Sequence, residues 1–291
     1  MDLTPVSTGE EAAAWLAVHN SAVAARAWSP AALTTLLAGA PDHRQTILRD
    51  ERSTPIGAGL AVVEAGLVMA WVSIATGERG RGHGGSVWTD LFAWSPDLPI
   101  EVRVEAADDW STAFARKRGL SIVRHEPRLV RHLTHESDAP PGDPSTAAVR
   151  TLALSEQPDL VGELWRIAEQ RPRIEGSLSA TAWQERFLVL EVGGTRYTTV
   201  ALVDDEVVGF ATLLVNGARP NVAAHVGTFV DQTSTGRGVA SALKEEQVRW
   251  ALAQGFTRLE ASSDPDNVAK ARLYARHGYE RVPGWYLMTT R

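Results

Sequence analysis

Apolar residues in the first half of the chain follow a helical spacing at first and an extended one afterwards. Segments 10–28 and 30–39 have helical apolar spacing, whereas segments 43–51, 55–65 and 66–76 are extended apolar runs separated by turn residues. This order predicts two helices followed by three antiparallel strands. A glycine-rich stretch comes next, and we predict a helix, a strand, a helix and a strand after it.

The second half repeats this order of elements. A short strand is predicted near residues 149–154, and helices are predicted near 158–170 and 180–190. Three extended segments follow, at 196–205, 206–216 and 223–230. They again lead into a glycine-rich stretch and a helix.

Two pairs of landmarks test whether the halves are copies of one fold. The strands before the glycine-rich stretches end at Ile74 and Val230, which are 156 positions apart. The last helix of each half ends at Gly119 and Gly278, which are 159 positions apart. Because a duplication keeps a nearly constant offset, we predict two related domains.

Composition agrees with two globular domains joined by a linker. The chain has 291 residues, of which 44% are hydrophobic and 22% charged, so it exceeds the usual size of one domain. Residues 134–147 are rich in proline and small polar residues. We therefore predict domains at 1–135 and 148–291, with a linker at 136–147.

Charge and cysteine content exclude several kinds of function. The chain has no cysteine, which excludes disulfides and an acyl-cysteine intermediate, and its histidines lack the spacing of a zinc site. The formal net charge is -6 and the arginines are scattered, which argues against nucleic-acid binding. No basic and apolar leader begins the chain and no long apolar run occurs, so we expect a cytoplasmic protein without a membrane partner.

The first glycine-rich stretch, TGERGRGHGGSVW, places Gly80, Gly82 and Gly85 in the G-x-G-x-x-G spacing of dinucleotide-binding loops. Those loops follow the first strand of a parallel unit, whereas antiparallel strands come first here. The stretch at 235–240 also breaks that spacing. Both stretches share closely spaced small residues before a helix, which predicts backbone N–H groups that bind a diphosphate. For either stretch alone, a plain strand-to-helix turn is the alternative.

The stretch from Asn267 to Tyr279 reads NVAKARLYARHGY. Together with the glycine-rich loop, it resembles the N-x-x-A-x-x-L-Y-x-x-x-G-[FY] helix of the GCN5-related N-acetyltransferase (GNAT) superfamily. The resemblance covers nearly the whole chain as a tandem pair, similar to actinobacterial two-domain members such as mycothiol synthase. It implies an α+β fold with α/β/α layers and two GNAT-like domains. Each would contain a mixed, mostly antiparallel sheet with a splayed central strand pair and flanking helices.

The resemblance implies acetyl-CoA as the cofactor, bound where the strands splay. Main-chain groups of Thr228, Phe229 and Val230 would contact the pantetheine and the acetyl carbonyl, and Asn267 would bind the pantetheine arm. The pyrophosphate would lie on residues of the second loop, namely Thr235, Gly236, Arg237, Gly238, Val239, Ala240 and Ser241. The corresponding residues of the first half are Ile74, Arg79, Gly80, Arg81, Gly82, His83, Gly84 and Gly85. Threonine at 235, where the family usually has arginine or glutamine, would weaken one phosphate contact.

The resemblance also implies the residues for proton transfer. Tyr274 would protonate the departing thiolate as general acid, and a core aromatic is the alternative role for it. An amine acceptor must lose a proton before it attacks the carbonyl, and His225, Glu260 and Asp264 are candidate bases. Each has a structural alternative, because an error of one residue in strand register reverses the face that a side chain occupies.

The first half lacks the residues for this chemistry. At the offsets of the repeat, Ala115 aligns with Tyr274 and Met69 aligns with His225. Alanine cannot protonate a thiolate. We therefore expect the domain at 148–291 to catalyse, while the first domain is degenerate and supports the architecture, with or without a bound CoA.

These observations predict an acetyl-CoA-dependent N-acetyltransferase that transfers an acetyl group directly to a primary amine of a small molecule. The alternative is a non-catalytic acyl-CoA-binding regulatory protein. Arg171 and Arg173 lie between the helices that would wall the acceptor site, where they would bind an acidic group of the acceptor or simply remain solvated. The expected assembly is a monomer or a homodimer.

Overall fold

The computed structural model describes residues 1–40, 42–64, 66–95, 97–134, 148–170, 195–262 and 266–290. Some predictions lie outside these residues, namely the linker, the helix near 180–190, the acceptor-site arginines Arg171 and Arg173, and the candidate base Asp264. The described residues form two compact units. The N-terminal unit comprises Met1–His125 with Gly284–Arg291, and the C-terminal unit comprises Glu126–Pro283.

The N-terminal unit contains the predicted helix–helix–strand order. Its elements are β1 (Asp2–Pro5), α1 (Gly9–Ala22), α2 (Pro30–Gly39), β2 (His43–Arg49), β3 (Pro55–Glu64), β4 (Leu67–Ile74), α3 (His83–Trp94), β5 (Ile100–Glu105), α4 (Asp109–Arg116) and the start of β6 (Ser121–His132). Thr8 and Glu11 form a capping box that begins α1, and Ser29 caps α2 before Pro30. The strands β1 to β5 are neighbours in sequence order, and only the pairing of β4 with β5 is parallel.

The C-terminal unit repeats the arrangement. Its elements are β7 (Arg150–Ala153), α5 (Val161–Glu169), β8 (Thr195–Val203), β9 (Glu206–Val215), β10 (Val222–Val230), α6 (Val239–Ala253), β11 (Arg258–Ser262), α7 (Val268–Arg276) and the start of β12 (Glu280–Thr289). The strands β7 to β11 follow sequence order in the sheet, and β10 pairs with β11 in parallel. The mixed α/β fold with a mixed sheet, inferred from the resemblance, is therefore confirmed.

Each unit contains the last strand of the other half of the sequence. The Arg128–His132 part of β6 pairs with Arg258–Ser262 of β11, inside the C-terminal unit. The Trp285–Thr289 part of β12 pairs with Glu101–Glu105 of β5, inside the N-terminal unit. The units therefore differ from the predicted boundaries at 1–135 and 148–291. Apolar patterning predicts that a strand forms but not which distant partner it pairs with, so the exchange was not visible in the sequence.

The parallel strand pairs separate along their length in both units. The pairing of β4 with β5 runs from Val68 to Ala70 on β4, although β4 continues to Ile74. In the C-terminal unit, the pairing of β10 with β11 runs from Val222 to His225, and β10 has an irregularity between His225 and Gly227. Each unit therefore has an open wedge at the carboxyl end of its parallel pair, as the resemblance implies.

No helix within the described ranges combines the length and the apolar character needed to cross a membrane.

Candidate functional site

Both glycine-rich loops have the same backbone conformation. Gly80 and Gly236 have φ of 81° and 82°, and Gly82 and Gly238, which lie just before α3 and α6, have φ of 91° and 78°. Only glycine adopts these angles without strain. Neither helix has a side-chain cap, so the amides of its first turn face outward with the positive end of the helix dipole. The two loops are therefore equivalent candidates for holding a diphosphate.

The arginine side chains of the first loop contact protein acids. Arg81 forms an ion pair of 3.0 Å with Glu78, which also lies 3.4 Å from His83. Arg79 forms an ion pair of 3.3 Å with Asp108, the residue that caps α4. The charge of both guanidiniums is thus partly balanced. The backbone amides of this loop are therefore the stronger candidates for binding an anion.

A cleft of about 810 Å³ opens beside this loop in the N-terminal unit. It is bounded by the separated ends of β4 and β5, by the loop glycines and by α4. Ala115 of α4 lies on its wall and is seven positions after the helix cap Asp108. Tyr274 of α7 is likewise seven positions after its cap Asn267. Ala115 therefore occupies, in the N-terminal unit, the position that Tyr274 occupies in the C-terminal unit, as the repeat offset predicts. The smaller alanine side chain leaves space in this cleft.

Arg118 is a candidate anion-binding residue that the sequence analysis missed. Its guanidinium carbon lies 3.4 Å from the centroid of the Phe114 ring, and its Nη2 lies 3.3 Å from where a Cβ on Gly85 would be. Within the described residues it forms no ion pair, and burial lowers its pKa. In the C-terminal unit, His277 similarly contacts Ser241 of α6 at 2.8 Å. Arg118 thus directs a positive charge toward the first turn of α3.

In the C-terminal unit, the side chain of Tyr274 faces the part of β10 that is not paired with β11. The tyrosine is only 3% exposed, and its hydroxyl is hydrogen-bonded to the side chain of Thr228. Burial raises the pKa of Tyr274 above its ordinary value, and the contact with Thr228 offsets this in part. A protonated hydroxyl is therefore present beside the strand predicted to bind the thioester.

His225 lies next to Tyr274 but has no ring nitrogen available for an acceptor. Its Nδ1 is 2.9 Å from Nζ of Lys244, and its Nε2 is 2.5 Å from the Tyr279 hydroxyl. Burial and the neighbouring Lys244 lower the pKa of His225 well below its ordinary value. As a base, His225 would therefore act through Tyr279 and not by direct contact.

Lys244 completes this group and was also missed. It is fully buried on α6, and its Nζ contacts His225 and donates to Oε1 of Gln247, both at 2.9 Å. Burial lowers the pKa of Lys244 well below its ordinary value, and the charge of Lys270 adds to this. The KEEQ stretch of α6 is typical of a solvated helix face. Its burial could not be read from local sequence.

Glu260 and Asn267 have structural partners. The Glu260 carboxylate forms ion pairs of 2.8 Å with both Arg219 and Arg258, and the residue is 5% exposed. The two ion pairs, both to Oε1, give this carboxylate a structural role. The side-chain oxygen of Asn267 accepts a hydrogen bond of 2.9 Å from the amide of Lys270 and so caps α7. Its side-chain nitrogen is the group suited to a pantetheine carbonyl.

The second loop is anchored to α5 by Asp231. This carboxylate accepts hydrogen bonds from Arg166 at 3.0 Å, from Gln170 at 2.9 Å and from Thr233. These hydrogen bonds, chiefly that from the Thr233 hydroxyl, hold the pKa of Asp231 well below its ordinary value. Thr235, the residue that departs from the family pattern, has its hydroxyl 3.5 Å from the Asp231 carbonyl oxygen. The loop is thus positioned by a network that no short motif describes.

Comparisons with known proteins agree with this architecture. Residues 159–279 match the model of the acetyltransferase (GNAT) family. The L-2,4-diaminobutyric acid acetyltransferase of Nocardia farcinica (strain IFM 10152) is 31% identical over 132 residues, which are 45% of this chain. The chain spans 63% of the length of that relative.

Solved structures extend the similarity to both halves. A tandem GNAT protein from the clavulanic acid biosynthesis pathway superposes with a TM-score of 0.78 at 18% identity, over 99% of this chain and 98% of its own. A GCN5-related N-acetyltransferase from Sphaerobacter thermophilus gives 0.68 at 15% identity, over 99% and 95%. At these identities the superpositions show the fold.

The chain therefore has the fold of a tandem GNAT protein, and residues 159–279 match the GNAT acetyltransferase family model. This confirms the resemblance seen in the sequence. The specific likeness to mycothiol synthase remains a prediction.

Proposed function

We propose that the protein is an acetyl-CoA-dependent N-acetyltransferase that acetylates a primary amine of a small molecule, with the chemistry in the C-terminal unit. The observation that carries this proposal is the Tyr274 hydroxyl, which is buried and hydrogen-bonded to Thr228, on the part of β10 beyond its pairing with β11. General-acid catalysis requires a proton donor beside the leaving thiolate. Tyr274 supplies that proton donor. Its partner Thr228 lies on β10 shortly before the second glycine-rich loop, which begins at Thr235.

The proposed reaction is direct transfer. The amine attacks the acetyl carbonyl, and main-chain N–H groups of β10 beyond its pairing with β11, near Thr228, Phe229 and Val230, stabilise the charge on the carbonyl oxygen. The loop from Thr235 to Ser241 holds the pyrophosphate through its backbone. Collapse of the tetrahedral intermediate breaks the carbon–sulfur bond, and Tyr274 protonates the sulfur.

The acceptor is proposed to be a small, amino-acid-like amine. The Nocardia farcinica relative is named for L-2,4-diaminobutyric acid, which carries two primary amino groups. That name supports a panel built around L-2,4-diaminobutyric acid, lysine and ornithine. A shared domain family does not itself fix the acceptor.

For the N-terminal unit we propose binding of an acyl-CoA without amine acetylation. Its loop has the same positive φ angles as the second loop, Arg118 adds a cation, and the cleft is open. Ala115 replaces the proton donor, so transfer to an amine would lack a general acid there. This division of roles rests on one contrast between the two units: the loops have the same conformation, but only the C-terminal unit has a tyrosine at the position of the proton donor.

An amine panel tests the proposal. Purified protein with acetyl-CoA should release free thiol at a rate that rises with a suitable amine, and mass spectrometry should find the monoacetylated amine. Calorimetric titration with CoA in parallel measures binding without turnover. Tight CoA binding with no amine-dependent thiol release across the panel would favour the alternative, a regulatory acyl-CoA-binding protein.

A further inference from the structure

A serine–histidine pair lies in the N-terminal cleft and has no role in the function proposed above. Ser73 of β4 and His19 of α1 both line the cleft, and the Ser73 hydroxyl is 3.0 Å from Nδ1 of His19. The two residues are 3% and 1% exposed, respectively. A hydroxyl in contact with an imidazole is the arrangement that activates serine as a nucleophile.

The pair lies on the side of the sheet opposite to α3. Val72 and Ile74 of β4 pack in the cluster that contains Val87 and Leu91 of α3. The neighbouring Trp71 packs instead with the α1 cluster. Side chains alternate along a strand, so Ser73 faces α1. An acyl-CoA whose diphosphate lies at the first turn of α3 would pass its acyl end through the wedge toward this side.

The environment of His19 keeps it neutral and fixed in orientation. Burial, together with the charge of Arg26, lowers its pKa to about 4. Its ring stacks on Trp15, with centroids 5.1 Å apart and planes at 11°, and its centroid is 4.6 Å from that of Trp28. The lowered pKa leaves the imidazole neutral but weakly basic, and its direct contact with the Ser73 hydroxyl supplies the geometry for accepting the proton.

A backbone group of Arg26 also hydrogen-bonds to His19, which offsets part of the effect of burial on its pKa. The pair itself is not repeated in the second half of the chain. In the C-terminal unit, the position equivalent to Ser73 is Phe229, which stacks on Phe210 at 4.7 Å. The pair is thus a feature of the N-terminal cleft.

We propose that Ser73 and His19 form a nucleophile–base pair that accepts an acyl group from an acyl thioester bound in the N-terminal cleft. Oγ of Ser73 bonds to the acyl carbon as its proton moves to His19. The carbon–sulfur bond then breaks, and the thiolate takes that proton and leaves as free thiol. The product is an acyl-serine ester, which water hydrolyses slowly to the carboxylic acid and Ser73.

This inference rests on the proposed binding of acyl-CoA in this cleft. The test therefore uses one acyl donor that must bind the glycine-rich loop through its diphosphate and one that carries no diphosphate. The full chain is incubated without amine with either acetyl-CoA or p-nitrophenyl acetate, and then quenched in acid. Intact-mass measurement and peptide mapping locate any added acetyl group. Variants are Ser73→Ala, His19→Gln and, as matched control, Ser21→Ala, whose hydroxyl donates to the Val18 carbonyl in the same helix.

We expect both probes to add one acetyl group at Ser73 in the wild type and in Ser21→Ala. Ser73→Ala should show none, and His19→Gln should be labelled at least about tenfold more slowly, since general-base assistance contributes that much or more. Circular dichroism and CoA affinity check that Ser73→Ala remains folded with an intact cleft.

The outcomes separate the two proposals. Calorimetric CoA binding to the N-terminal unit with no labelling by either probe would overturn the serine–histidine proposal and leave the binding proposal standing. Equal labelling of wild type and Ser73→Ala would also overturn it. Labelling of Ser73 by p-nitrophenyl acetate alone, without CoA binding in this cleft, would support the pair and contradict acyl-CoA as its donor.

Discussion

Around Tyr274, single buried side chains decide which groups carry protons. Lys244 is fully buried beside His225, and the centroid of the Tyr274 ring is 5.1 Å from its Nζ. A buried ammonium is costly in such a place, which favours the neutral amine. A neutral amine, a neutral imidazole and two protonated phenols then form one connected group behind the proposed site.

Replacing Lys244 removes a buried polar group, which by itself would favour folding. We nevertheless expect the replacement to destabilise the protein, because the lysine's hydrogen-bond partners stay buried. Lys244→Met keeps the length of the side chain but leaves His225 Nδ1 and Gln247 Oε1 without their partner. We expect the free energy of unfolding to fall by about 1–3 kcal/mol, the cost of an unsatisfied buried polar group. Urea denaturation measures this, with the exposed Lys117→Met as control. A stabilised variant would contradict the hydrogen-bonded arrangement.

The same lysine predicts a pH dependence of stability. In the folded protein burial lowers the pKa of Lys244 well below its ordinary value of 10.5, whereas the unfolded chain keeps that ordinary pKa. Between the lowered folded pKa and 10.5, unfolding takes up a proton, so stability from this group increases as pH rises. Within that range, the unfolding free energy of wild type minus that of Lys244→Met should grow by up to about 1.4 kcal/mol per pH unit. A difference that stays flat with pH would contradict a neutral Lys244.

At the scale of elements, the two strand–loop–helix segments share one conformation, and both are proposed to bind CoA. Their glycines share both position and conformation, and this part of the site was predicted from sequence because the steric freedom of glycine is a local property. Tyr274 was also predicted, from the motif on α7. Arg118 and Lys244 were not, because their roles depend on which helix face is buried by distant strands. The paired state of Glu260 likewise depends on Arg219, which is 41 positions away.

Alanine substitutions in the two loops should separate the two clefts. Gly82→Ala and Gly236→Ala each force a Cβ into the left-handed region, at φ of 91° and 82°, although both positions have open space around them. We expect each substitution to weaken CoA binding only in its own unit, by about tenfold for a strain of about 1–2 kcal/mol. Calorimetric titration resolves the two sites. Gly77→Ala, which has open space and no positive φ, is the control, and equal loss at both sites would contradict independent cradles.

At the scale of the whole molecule, each unit requires a strand from the other half of the sequence. Met288 of β12 is fully buried in a cluster with Val102 and Leu120, which belong to the N-terminal unit. This dependence was hidden from sequence analysis because strand pairing across about half of the chain leaves no periodic signal. The duplication was visible, whereas the exchange within it was not.

Met288→Ala tests this exchange. The cavity should cost about 2–5 kcal/mol and act on the N-terminal unit. Hydrogen exchange should lose protection in β5, the partner of β12, and keep it in β11. The substitution Val123→Ala, at an exposed position of the N-terminal unit, is the control. Loss of protection confined to β11 would contradict the assignment of the last strand to the N-terminal unit.

The central claim is that one unit catalyses acetyl transfer through Tyr274. The most direct test compares the kcat of wild type and Tyr274→Phe in amine-dependent thiol release, with calorimetric CoA affinity measured on the same preparations. We predict a fall in kcat of at least about 100-fold, as expected for loss of a general acid, with unchanged CoA affinity. Tyr197→Phe, which removes the hydroxyl 3.4 Å from Glu246 in the same unit, should retain activity. A fully active Tyr274→Phe enzyme would contradict the account.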